Sequence, residues 1–504
     1  MIDSKRIAKN SIFLYARMLL LLFVSLFTSR VILDKLGVED FALHGVVGGI
    51  VGLFAFLNGT LSLGSSRFVA FSLGKGDNDN LKRTFGTIVI AHLILTLIIV
   101  LFAETVGIWY LNNKLVVSPE RFNAAFWVFQ ISVFTTVLST NLVPQTAVIM
   151  AHERMDIYAY FSIFQALANL FIVYLLTLTS FDRLIFLSAL MAIVQVVTFI
   201  VWFVYTRVKF QETRGKLLLD KKILRSLLSF SGWNVIANSI NMLMTQGILL
   251  LLNLFFPPYI VASQTLSGRF SIQLMQFVNN LRVSIDPQVI KLYAAGNKDE
   301  SKRLTLQSSL YTFDLLLLLG LPCILVAEKL MSIWLVDVPD YAVIFVQYAI
   351  LRNILSNFNV SFYTPMMASG RLKKNSIAAA IIGFAEFGGL YLLFKLGFGA
   401  MWVCYIPLIA VMVSGYLVKP YILFKDEGYN LKELLLCYYN CVKVAIPAVV
   451  VSILAFLFIP QNTFLQSIIV AFISASAVLV FSYVFMEKTA RKRLYSFVKA
   501  KIKR

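Results

Sequence analysis

The chain has 504 residues, 59% of them hydrophobic and only 14% charged, and its mean hydropathy is +0.81. Soluble domains carry about 25% charged and about 45–50% apolar residues, so a string of soluble domains is excluded and an integral membrane protein is predicted. The 45 Lys and Arg outnumber the 25 Asp and Glu for a formal charge of +20, yet they sit in short connections between apolar runs, which points to cytoplasmic loops and away from nucleic acid.

A helix needs about 20 mainly apolar residues to cross a hydrocarbon core. Fourteen such segments follow one another, at 11–33, 42–70, 85–106, 124–149, 157–179, 184–205, 230–255, 259–285, 305–327, 341–364, 376–394, 398–424, 443–459 and 464–486. The first run lacks a small-residue cleavage site and reads as a span that stays. Runs of this length exclude a β-barrel, whose strands alternate over about 10 residues. With the N-terminus inside, the cytoplasmic segments hold 32 Lys and Arg, counting Lys443 at the cytoplasmic edge of its span, and the outside loops 6. That asymmetry predicts a multi-pass membrane protein with both termini in the cytoplasm. The basic tail 487–504 is expected to lie against anionic headgroups.

The longest polar interruption, 206–228, divides six spans from the next six. Gly76 to Arg83 matches Gly296 to Arg303 at four of eight positions with a shift of 220, each after the second span of its half. Pro144 and Pro365 correspond with a shift of 221. An even number of spans per half would relate the halves by an axis along the membrane normal, with a substrate path between them. The expected fold class is therefore an all-α membrane protein of about 14 transmembrane helices. It has an N-terminal six-helix lobe (1–205), a cytoplasmic linker (206–228), a C-terminal six-helix lobe (229–424), and a central cleft between the lobes. Two additional helices (425–486) and the tail complete it.

Seven basic residues fall within or at the edges of spans: Arg17, Arg30, Arg67, Arg269, Arg282, Arg352 and Lys419. An arginine at mid-bilayer costs about 2.5–3.5 kcal/mol on insertion scales, so it needs water, a partner or a function. Arg269 and Arg352 lie roughly 15 Å into their spans and Arg17 roughly 10 Å. The other four are nearer the edges, where snorkelling is the cheaper explanation. Arginines facing a cleft suit an anionic substrate, phosphate above all, because the guanidinium fork binds its oxygens bidentately. The alternative is structural pairing with the deep acids Asp314 and Glu386. Those two are also candidate ion-coupling residues for H+ or Na+. Amides such as Asn141, Gln145, Asn238, Asn241, Asn353 and Asn357 are expected to bond between helices.

Neither a phosphate-binding GxxxxGK[ST] loop nor an HExxH pair occurs, and Cys323, Cys404, Cys437 and Cys441 form no metal-ligand pattern. No catalytic residue, metal or cofactor is therefore assigned. A membrane polymerase or ligase should carry large outer loops, and the longest here is 107–123.

The segment 10–77 carries a resemblance. It contains Tyr15-Ala16-Arg17-Met18, then Thr28-Ser29-Arg30-Val31-Ile32-Leu33 and Leu36-Gly37-Val38-Glu39-Asp40-Phe41. Val46-Val47-Gly48-Gly49-Ile50, Ser66-Arg67-Phe68 and Leu73-Gly74-Lys75-Gly76-Asp77 follow. Ala151-His152-Glu153-Arg154-Met155 and Asp286-Pro287-Gln288 with Tyr293 are similar to later landmarks of the same group. Together they resemble the polysaccharide-biosynthesis branch of the multidrug/oligosaccharidyl-lipid/polysaccharide exporter superfamily. The resemblance implies an alternating-access flippase, not an enzyme. Its substrate would be an undecaprenyl-pyrophosphate-linked oligosaccharide for surface polysaccharide such as the O-antigen of lipopolysaccharide. Membrane lipids and a polysaccharide polymerase or assembly protein are the implied partners. Arg17, Arg67 and Arg269 are then the pyrophosphate-binding residues by span and depth, and Arg352 joins them on depth alone. The chain departs from the family at Phe256-Pro257-Pro258-Tyr259, where a small-residue turn is usual. The alternatives are a cation-coupled multidrug exporter of the same superfamily, which should carry acids in its cavity, or a polymerase or ligase of lipid-linked sugars.

Overall fold

The computed structural model describes residues 4–74, 77–152, 154–179, 181–215, 217–228, 240, 242–460, 463–486 and 491. The expected basic tail, apart from residue 491, and Asn238 and Asn241 lie outside them. Among the described residues the structure is helical, without a strand. Nine helices among the described residues are long and apolar enough to cross a membrane.

The chain forms two compact units. The first comprises Met1–Leu266, Trp334–Asp340 and Ala379–Ala400; the second comprises Ser267–Ile333, Tyr341–Ala378 and Met401–Arg504. The first unit opens with α1 (Ser4–Gly74), which covers both of the first two predicted spans in 71 residues. A continuous helix of that length would run roughly 105 Å, against about 30 Å of hydrocarbon. It is broken at Gly37, whose φ of 78° and ψ of 172° are open to glycine and costly for other residues. The helices α2 (Asn78–Phe102), α3 (Ile108–Asn113), α4 (Phe122–Ala151), α5 (Met155–Leu178), α6 (Arg183–Lys209) and α7 (Ile248–Phe255) follow. α1 packs mainly on α4, and α4 on α6. Asn141 donates to the Thr96 hydroxyl (3.0 Å) and Gln145 accepts from Thr206 (3.1 Å), so these amides bond between helices as expected. The start of the linker is docked: Glu212 meets His152 at 2.6 Å, Phe210 stacks on the His152 ring, and Thr87 donates to the Leu218 carbonyl.

α8 (Pro258–Ala294) passes from the first unit into the second. It is followed by α9 (Lys298–Leu325), α10 (Ala327–Trp334), α11 (Ala342–Ser361), α12 (Tyr363–Ser369) and α13 (Lys373–Lys395). The chain ends with α14 (Trp402–Met412), α15 (Lys419–Asp426), α16 (Leu431–Phe458) and α17 (Phe464–Phe485). The last predicted pair of spans is therefore present, but α16 begins twelve residues before the expected 443. α16 and α17 pack on each other and both pack on α9.

Among the described residues three π-turns occur within helices, at Ala103–Gly107, Leu243–Gly247 and Val413–Val418. A π-turn widens the helix and leaves main-chain carbonyls without their usual i+4 partner. At the third, side chains supply the donors: Tyr438 Oη bonds the Gly415 carbonyl (2.8 Å) and Asn359 Nδ2 the Val411 carbonyl (3.1 Å). A Cβ on Gly415 would stand 3.2 Å from that same amide, so the glycine is what lets α11 approach.

Candidate functional site

Arg269 on α8 and Arg352 on α11 are both half-buried in the second unit. Next to them the two helices are clasped. Ser271 donates its hydroxyl to Asn353 Oδ1 (3.0 Å), and Asn353 Nδ2 donates to the Ser271 carbonyl (3.2 Å). Both residues are buried, so neither bond competes with water. The reciprocal pair ties α8 to α11 two residues after Arg269 and one after Arg352. Arg352 also lies within electrostatic reach of the Cys404 thiol on α14. Arg67 is exposed on the first unit. The side chain of Arg17 lies outside the described residues.

Arg282 and Lys419 correct the expectation that edge cations snorkel. Both are buried, at 4% and 8% exposure. Arg282 donates to Ser361 Oγ (2.8 Å), Thr364 Oγ1 (2.7 Å) and Asp286 Oδ1 (2.8 Å), which joins α8 to α11 and α12. Lys419 donates to the Asn359 carbonyl and sits over the Tyr363 ring. With hydrogen-bond partners at hand, a buried cation is held by the fold and has no need to reach the interface. Asn357 adds a bond to the Ser309 carbonyl (2.8 Å), so one polar seam runs between α9 and α11.

The two deep acids differ. Glu386 is half-buried on α13 in the first unit. Asp314, on α9 of the second, interacts with the Ser482 hydroxyl of α17. Asp314 has no ion-pair partner among the described residues, so neither Arg269 nor Arg352 neutralises it there.

A third charged group escaped sequence reasoning, in loops predicted to lie outside. Arg121 grips Asp40 with two parallel bonds (Nε–Oδ1 2.8 Å, Nη2–Oδ2 2.6 Å) and reaches Asp182 as well. Partial burial works against the charge of Asp182, but Arg121 and the amides of Ile185 and Leu184 hold its carboxyl below the usual carboxylate range. Burial, with the charges of Asp182 and Glu39, lifts Asp40 above its ordinary value in spite of Arg121. Only the acid-basic-acid composition of three separate loops pointed to this group, and composition does not pair residues 61 and 81 positions apart.

No family model matches the chain, and a search of curated proteins finds no match. Solved structures do. A structure described as the lipid II flippase MurJ in an inward closed conformation aligns with a TM-score of 0.70 at 14% identity, covering 94% of this chain and 98% of that one. An inward-facing multidrug-resistance MATE family transporter of the MOP superfamily aligns at 0.63 and 16% identity, over 82% and 96% of the two chains. The MATE multidrug transporter DinF-BH in complex with R6G aligns at 0.63 and 15%, over 84% and 96%. The chain has the multi-helix fold that these flippase and exporter structures share.

Proposed function

We propose that a chain with this fold moves an undecaprenyl-pyrophosphate-linked oligosaccharide from the inner to the outer leaflet of a bacterial cytoplasmic membrane by alternating access. The single observation that carries the reading is the clasp of α8 on α11 through Ser271 and Asn353, which lie two residues from Arg269 and one from Arg352 in the chain. Arginines deep in apolar spans suit an anionic substrate, and a diphosphate offers oxygens spaced for the fork. Arg17 and Arg67 are assigned to the same task on sequence resemblance. The MurJ likeness extends over more of the chain than the MATE likenesses do, a difference on the scale of α16 and α17. That supports a lipid-linked substrate over a soluble drug. The two-lobe repeat, with spans 1–6 and 7–12 related along the membrane normal, is part of the same proposal. A cation-coupled drug exporter is the second reading, favoured by the likeness to DinF-BH and disfavoured by the surplus of deep arginines.

The test is translocation in proteoliposomes, read as oxidation of an undecaprenyl-pyrophosphate-linked sugar by impermeant periodate as it reaches the outer leaflet. Losing charged hydrogen bonds worth about 1.5–3 kcal/mol should slow Arg269→Ala and Arg352→Ala roughly tenfold to a hundredfold. Arg269→Lys should recover part of the rate, since it keeps charge without the fork. Wild-type rates in both alanine variants would sink the cationic-site reading.

A further inference from the structure

Two adjoining cavities run along the seam where α16 and α17 cover α9. The outer one, of about 360 Å³, is lined by Lys302, Arg303 and Gln307 of α9 and by Glu433, Cys437 and Asn440 of α16, among others. The inner one, of about 60 Å³, shares Gln307, Leu310 and Asn440 with it and ends on Asp314 and Ser482. On α9 the lining residues 303, 307, 310, 311 and 314 recur at helical spacing and so form one face. On α16 the residues 433, 437, 440 and 444 do the same. From Lys302 to Asp314 is twelve residues, about 18 Å along the helix. We propose that Asp314 is a proton-binding site that exchanges with the side of the membrane bearing Lys302 and Arg303, through water held between these two faces.

The chemistry follows from what surrounds the carboxyl. A water needs about 10–15 Å³ of such space and two to four polar partners. Both cavities exceed that, and the amides of Gln307 and Asn440 stand where the two meet, each offering a donor and an acceptor. The Ser482 hydroxyl is buried, makes no hydrogen bond among the described residues, and lies near enough to act on the Asp314 carboxyl. A hydroxyl can donate to a carboxylate or accept from a carboxylic acid, so it serves both protonation states. The titratable groups nearby are Tyr311 on α9 and Glu433, Cys437 and Cys441 on α16. α17 contributes no charge to the cavity. Of the other helices on α9, α11 carries Arg352, which is close to Cys404, and α12 carries Tyr363, which faces Lys419. No cation among the described residues pairs with Asp314, and an intramembrane carboxyl in that position must meet a proton or water. A metal ion would need several more converging oxygens, and no group of three His, Cys, Asp or Glu among the described residues can hold one.

The inference goes beyond the flippase reading, and its test needs no lipid-linked sugar. Dicyclohexylcarbodiimide adds to a membrane carboxyl only in its protonated form, giving a stable N-acylurea. With the full chain in proteoliposomes, mass spectrometry should find that adduct on Asp314, with its yield falling about tenfold per pH unit once pH passes the titration of the group. Asp314→Asn should abolish it on that peptide while eluting as the wild type does. In a second arm, Gln307→Cys is made in a chain whose four native cysteines are serine, and the thiol is capped with an impermeant cationic methanethiosulfonate. Added on the Lys302 side, the reagent should remove the pH response; added on the opposite side, it should leave it intact. An absent adduct, a yield independent of pH, or equal blocking from both sides would each overturn the proposal.

Discussion

Arg121 satisfies two carboxylates with one guanidinium, and its removal would leave Asp40 and Asp182 facing each other, partly buried. Arg121→Ala should therefore destabilise the first unit by about 2 kcal/mol, read as a lower Tm in detergent. The two acids respond to pH in opposite senses. The depressed pKa of Asp182 contributes stability above the ordinary carboxylate value, lost as pH falls through its folded pKa. The raised pKa of Asp40 means that folding favours its protonated form, so its contribution is present at low pH and fades as pH rises. In Arg121→Ala both carboxyls lose their cation, and stability should drop most above pH 5, where both would be charged. A melting series from pH 4 to 8 in which wild type and variant run parallel would contradict this. At the scale of single residues the sequence revealed depth but not partners. Arg269 and Arg352 could be placed within their helices by counting. The clasp beside them could not, because Ser271 and Asn353 are 82 positions apart and only helix packing brings them together. Arg282 and Lys419 were misjudged for the same reason: their partners Ser361, Thr364 and Asn359 lie on other helices.

Helix ends and breaks form the next scale. Gly37 has no neighbour within 4 Å of the position its Cβ would take, so Gly37→Ala isolates the cost of backbone strain. That cost is of order 1–3 kcal/mol and should appear as a Tm drop without loss of insertion; an unchanged Tm would show that the break relaxes easily. Hydropathy located most helix centres because a bilayer demands about 20 apolar residues. It missed the first twelve residues of α16, where Lys432, Glu433 and Asn440 lower the local average. Those residues form one wall of the route to Asp314, so the part of α16 least legible in the sequence is the part that completes a site.

At the scale of the whole molecule, the all-helical, many-span character was readable because apolar runs alternate with charged loops, and the shared fold agrees with it. Which helices cover which was not readable, and α16 and α17 looked like an appendage. Their packing on α9, reinforced by the Ser452–Ser474 bond of 2.9 Å, makes them part of the second unit. A chain truncated after Asp426 should still insert, yet lose periodate-detected translocation and elute as a broader species. Wild-type rates from the truncated chain would show the last two helices to be dispensable. The π-turns have a further consequence, for how this chain tolerates changes in length. Each holds about one residue more than a regular turn, and an extra residue rotates everything downstream by about 100°. Deleting one residue within 413–418 should thus convert the bulge to plain helix with the helix on either side left in register, whereas the same deletion in the regular turns of α16 would swing its cavity-lining face away from α9. Among the described residues, Ala103–Gly107, Leu243–Gly247 and Val413–Val418 are places where a single-residue deletion can be absorbed in the middle of a helix.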